Sequence, residues 1–144
     1  MAETLSNIED LLRWLRGNGF EIACDRTFEA FGNRTIVLSN GSIAVRAMKD
    51  RGIWMIDVAA SLNEVPSESS SIWFEPKIWL SYLEETIPFV GPSQLEDQVE
   101  FVKTRLPDVE AALLEDAEAA ASLFALRKTE AHTRFSSARQ LPPP

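Results

Sequence analysis

The chain has 144 residues, 45% hydrophobic and 25% charged, with a formal net charge of −8 and one cysteine. A chain of this length makes one compact domain that buries roughly 68–70% of its unfolded surface and needs neither metal nor disulfide to fold. The acidic balance repels nucleic-acid phosphates and anionic lipid surfaces and favours basic partners, which argues against nucleic-acid and membrane binding.

The N-terminus, MAETLSNIEDLL, has no basic region leading into a continuous apolar run, and no apolar stretch approaches the ~20 residues that span a bilayer. Cys24 has no second cysteine to pair with. A reducing cytoplasm is the expected location, where the sequon Asn33-Arg34-Thr35 carries no glycan.

The first predicted element is a helix. Ser6 and Glu9 have capping-box spacing, Ile8, Leu11, Leu12 and Leu15 form an amphipathic stripe, and Gly17-Asn18-Gly19 is a stop signal. Trp14 lies beside the stripe, at the edge of the core. From Phe20 the texture turns to strands. Residues 20–31 read as an extended lead-in, with Phe20, Ile22 and Cys24 alternating and Phe28 on the same side.

Asn40-Gly41 is a strong hairpin signal, because a type I′ turn needs positive φ at both central residues. Centred there, the turn pairs Leu38 with Ile43 and Ile36 with Val45. A second turn over Lys49 to Gly52 then sets Met48 against Ile53, Ala47 against Trp54, Val45 against Ile56 and Ile43 against Val58. One sheet face collects Ile36, Leu38, Ile43, Val45, Ala47, Trp54, Ile56 and Val58 as the core face. The other carries Val37, Ala44, Arg46, Met48, Ile53, Met55 and Asp57, with Arg46 and Asp57 diagonal and able to pair. That second face is apolar enough to need cover from the chain's own helix or from another protein.

Residues 61–71 are a Ser-rich polar loop. Glu75-Pro76 opens a helix with proline in its first turn, and Ile78, Trp79, Tyr82 and Leu83 follow at helical spacing. Trp73, Phe74, Trp79 and Tyr82 form the densest aromatic group, read first as helix-on-sheet packing and second as a binding patch. From Pro92-Ser93 a long stripe, Leu95, Val99, Val102, Leu106, Val109, Leu113, Ala117, Ala120 and Phe124, keeps helical phase across Pro107. Either one helix kinks at this proline or a second begins with it. The stripe packs on the sheet or, as the alternative, forms a helical homodimer. Helical pattern fades after Arg134, and residues 135–144 read as a disordered Pro-rich tail.

Motifs for chemistry are missing. One Cys and one His, His132, supply no metal-ligand spacing and no nucleophile–base–orienter set. There is no GxSxG, GxxxxGK[ST] or GxGxxG. No cofactor is implied. Asp57 is the most suggestive carboxylate because its strand is otherwise apolar, although a partner role for Arg46 is the simpler account. Candidate partner-binding residues are Arg46, Asp50, Arg51, Asp57, Glu64, Glu68 and Trp73, with Glu64 and Glu68 acting as part of an acidic decoy surface. A small-ligand or enzymatic pocket around Trp54, Trp73, Asp57 and Arg46 is a further alternative.

Phe31-Gly32, Arg46, Asp50-Arg51-Gly52 and Trp54 lie in a run that resembles a group of small bacterial proteins. Some of that group are similar to immunity proteins that neutralise polymorphic or contact-dependent toxins. The resemblance covers about 30 residues and brings no catalytic residue. It implies a cytoplasmic, non-enzymatic protein-binding protein. The expected architecture is one α+β domain over residues 1–134. It has an N-terminal helix, an antiparallel meander of three or four strands at about 20–60, and C-terminal helices at about 72–130 packing on the sheet.

Overall fold

A computed structural model describes residues 2–29, 32–60, 67, 72–86, 94–115 and 118–139. Helix α1 (Ala2–Gly17) precedes strands β1 (Glu21–Thr27), β2 (Arg34–Ser39), β3 (Ile43–Asp50) and β4 (Ile53–Ala60). Helices α2 (Pro76–Glu84), α3 (Leu95–Glu115) and α4 (Ala119–Arg139) follow. The strands make one antiparallel sheet in the order β1-β2-β3-β4, so the fold is the expected α+β arrangement.

Helix α1 buries Ile8, Leu11 and Leu15, with Leu12 and Trp14 packed at the margin of the same core. It begins at Ala2 rather than at Ser6, because the preceding Ala-Glu-Thr-Leu carries no helix breaker and extends the first turns. It ends as the glycines require. Phe20 N donates to Leu15 O at 3.0 Å while Gly19 takes φ +89°, a left-handed closure that glycine adopts without strain.

Both hairpins differ from the expected register. In the first, Asn40 Oδ1 accepts from Ser42 N and Ile43 N, each at 2.9 Å. Only Gly41 takes positive φ, +93°. The loop is therefore Gly41-Ser42, and Leu38 meets Val45 while Ile36 meets Ala47. In the second, Arg51 (φ +52°) and Gly52 (φ +85°) are the two-residue loop of positive φ, and Asp50 faces Ile53. Each pairing has moved along by an even step, which leaves every side chain on its anticipated face. All eight expected core-face residues of β2, β3 and β4 are buried.

Strand β1 departs further. A bulge between Ile22 and Cys24 sets Ile22 opposite Leu38 but Cys24 opposite Val37, so the strict alternation of Phe20, Ile22 and Cys24 breaks there. Phe20 joins the inner core, whereas Cys24 packs against the outer cluster. Glu21, Asp25 and Arg26 and the bulge guard this exposed edge against pairing with other strands.

The opposite edge is capped from within the chain. Ile56 N donates to Gln98 Oε1 at 2.8 Å. Val58 and Phe74 exchange backbone hydrogen bonds at 2.9 and 3.1 Å, and Trp79 Nε1 adds one to Val58 O at 3.0 Å. These contacts seat α2 and α3 on the inner face.

Helix α3 runs unbroken through Pro107 to Glu115, and α4 begins at Ala119. The proline leaves the Lys103 carbonyl without its helical donor, a cost of ~3 kcal/mol or more. Burial of Val102, Leu106 and Val109 opposes it, at roughly 1.5–3 kcal/mol for each fully buried aliphatic side chain. The stripe thus packs on the chain's own core. In α4 its phase changes: Ala119 and Leu123 are buried, while Ala120 and Phe124 are exposed. Helix α4 continues to Arg139, past the expected fading at Arg134.

Candidate functional site

The outer sheet face holds most of the singled-out residues. Its cross-strand rows follow from the register. Nearest the Arg51-Gly52 turn lies the row Ile53, Asp50, with Asn33 and Phe28 beyond. Next comes Met55, Met48, Thr35, Arg26, and then Asp57, Arg46, Val37, Cys24. Arg46 and Asp57 are direct cross-strand partners rather than diagonal ones.

The third row is a buried polar lock. Both Nη2 and Nε of Arg46 donate to Asp57 Oδ2, at 2.6 and 3.1 Å, with side-chain exposures of only 12% and 9%. Trp73 covers them. Its backbone follows the Phe74–Val58 bridge, so Phe74 turns inward and Trp73 turns onto the outer face. The Arg46 guanidinium carbon lies 5.0 Å from the Trp73 ring centroid, within cation–π range. Trp73 Nε1 donates to Ser67 O at 2.8 Å, and Arg127 Nη1 donates to Trp73 O at 3.0 Å. Val37, Ala44, Ala59 and Trp73 complete a second, smaller core on this face.

Arg46, Asp57 and Trp73 are therefore brought together, but under cover. Asp50 and Arg51 stand exposed at the hairpin tip, where Asn33 Nδ2 donates to Asp50 Oδ1 (3.3 Å) and Arg51 N donates to Asn33 Oδ1 (2.9 Å). Glu64 and Glu68 lie outside the described residues, as does Phe31. A pocket shared by Trp54, Trp73, Asp57 and Arg46 is not formed, because Trp54 belongs to the inner core and the sheet separates it from the other three. In the aromatic group, Phe74 and Trp79 pack edge-to-face within the main core, and Tyr82 packs edge-to-face on Trp79 at its margin.

The first two rows of the outer face are open at their β4 end, although Thr35 in the second row is buried. Ile53 is 67% exposed, Met55 39% and Phe28 39%, with Met48 half-buried beside them and the Arg26 guanidinium carbon 5.0 Å from the Phe28 ring centroid. Ile53, Met55 and Met48 form one small apolar strip on β3 and β4, and Phe28 stands apart from it, beyond Asp50 and Asn33. Methionine suits such a place, since its unbranched, polarizable side chain adapts to a partner's shape.

Comparison with protein-family models, with curated proteins and with solved structures returns no match.

Among the described residues no group of three or more His, Cys, Asp or Glu is placed to hold a metal ion, and no helix is long and apolar enough to cross a membrane. Two features that sequence reasoning missed shape the surroundings. Lys77 Nζ lies 3.1 Å from Glu130 Oε1 in a buried ion pair joining α2 to α4, with side chains 7% and 5% exposed. Arg127 sets its guanidinium carbon 4.6 Å from the Phe74 ring centroid and 4.8 Å from that of Phe124. Lys77 and Glu130 are 53 positions apart, so no local pattern links them. The only trace was a lysine beside the apolar Ile78 and Trp79.

Proposed function

We propose that this chain is a non-enzymatic protein-binding protein, an immunity-type inhibitor working in a reducing bacterial cytoplasm, and that it holds its partner with the open half of the outer sheet face. The observation that carries the reading is the exposure of Ile53 and Met55 on the outer face of β3 and β4, strands whose other apolar positions are buried or half-buried. Burying such a strip against a partner releases water from apolar surface. The Asp50-Arg51 tip adjoins it and supplies polar contacts that fix orientation. The resemblance of the Arg46 to Trp54 run to immunity proteins, together with a net charge of −8, supports a basic toxin as the partner.

The test is capture of the partner from its native cell, followed by binding measured across ionic strength. A toxin-domain protein whose association slows as salt rises supports the reading. Association indifferent to salt removes the basic-partner part of it, and capture of only metabolic enzymes in their active complexes removes the inhibitor part.

A further inference from the structure

A second concave surface lies on the helical side of the molecule. The groove between α2 and α3 encloses about 530 Å³, within the range of binding clefts. Pro76 and Phe101 lie largely buried in its floor, and Leu80, 40% exposed, is the apolar side chain that it presents.

The charges around it are not balanced. Of the two cations lining the groove, Lys77 is engaged with Glu130, and Arg105 Nη1 and Nε donate to Glu84 and Asp108 at 2.9 and 2.7 Å. The two lining carboxylates, Asp97 and Glu100, are exposed and have no ion-pair partner among the described residues. The groove therefore offers an apolar trough with a negative wall. Asp97 lies in the first turn of α3 and also favours the positive end of that helix dipole. Glu100 lies further along the helix, where that effect has faded.

We propose that this groove docks a basic amphipathic segment of a partner protein, whose apolar ridge lies on Leu80 and Phe101 and whose lysines or arginines face Asp97 and Glu100. The pairing is that of an amphipathic helix laid in a groove, with apolar anchors providing affinity and charge providing orientation. It stands on a different surface from the sheet face proposed above, and either can fail without the other.

The probe is a fluorescein-labelled amphipathic leucine–lysine helical peptide, with a leucine–glutamate twin as control, followed by fluorescence anisotropy on the full chain. The wild type binds the lysine peptide and not the glutamate one. Asp97→Asn combined with Glu100→Gln weakens binding about tenfold, and Leu80→Asn weakens it comparably. A charge-matched control on the same helix, Glu110→Gln with Glu115→Gln, changes it by less than about twofold. Thermal melts of each variant confirm that the compared proteins are folded. Equal weakening by the two charge pairs, or no effect of Leu80→Asn, reduces the interaction to diffuse charge and overturns the proposal. The Ile53→Glu/Met55→Glu protein binds the peptide as the wild type does, and loss of binding there would move the site to the sheet and overturn it equally.

Discussion

The inner face of the sheet is closed by helices through aliphatic and aromatic packing, whereas the outer face is closed over part of its length by one indole lying on a salt bridge. The inner closure is continuous, from Ile8 of α1 to Leu123 of α4. The outer closure stops at the Arg46–Asp57 row and leaves Met48, Met55, Ile53 and Phe28 in reach of a partner. A face that must only be stable is filled with hydrocarbon. The outer face is pinned by polar, geometrically specific contacts on one side and left open on the other, as the proposed docking of a partner would require.

Four substitutions separate these roles. Trp79→Ala on the inner side removes a fully buried ring and the hydrogen bond to Val58 O, and is expected to cost ~3–5 kcal/mol in urea unfolding. Asp57→Ala removes the carboxylate to which Arg46 donates twice and is expected to cost ~3 kcal/mol, while replacing both members with well-packed apolar residues is close to neutral. A double-mutant cycle checks the difference. If the single change costs nothing, the lock is not what closes the outer face.

Ile53→Glu on the open half replaces a side chain that is 67% exposed opposite Asp50 and is expected to alter stability by no more than ~0.5 kcal/mol, measured by the same unfolding curves. A comparably small effect belongs to the exposed edge, where Arg34 donates to both oxygens of Asp25 at 3.0 and 2.7 Å. These hydrogen bonds, more than the charge itself, hold the Asp25 carboxyl below its ordinary value. A depressed carboxylate contributes at neutral pH, and that contribution is lost as pH falls through the lowered value. Because both side chains are more than a third exposed, Asp25→Asn is expected to cost well under ~1 kcal/mol at neutral pH and less in acid. A pH series of melts reads it.

Much of this contrast was legible in the sequence. Alternation assigned β2, β3 and β4 to their faces, and a one-residue displacement of each turn, which moves every pairing by two, left that assignment intact. What alternation could not reveal was the extra residue at Ala23, since a bulge adds no residue type of its own, or the Asn40 side chain taking over as acceptor in the first loop. The proximity of Arg46 and Asp57 was readable, but their burial was not, because it depends on Trp73 returning over the outer face after a polar stretch. Gln98 capping Ile56 N, and Lys77 meeting Glu130, bring together residues distant in sequence, and only the assembled helices reveal them. Pro107 left open a kink or a second helix starting there, and one helix, Leu95–Glu115, runs through it because core burial outweighs the lost hydrogen bond.

The open half of the outer sheet face is the proposed seat of the partner. Titration calorimetry of the captured partner against the wild type and against the Ile53→Glu/Met55→Glu protein tests it most directly. The account predicts that the double variant melts like the wild type and loses affinity by at least about a hundredfold. A folded double variant that binds with unchanged affinity would contradict it.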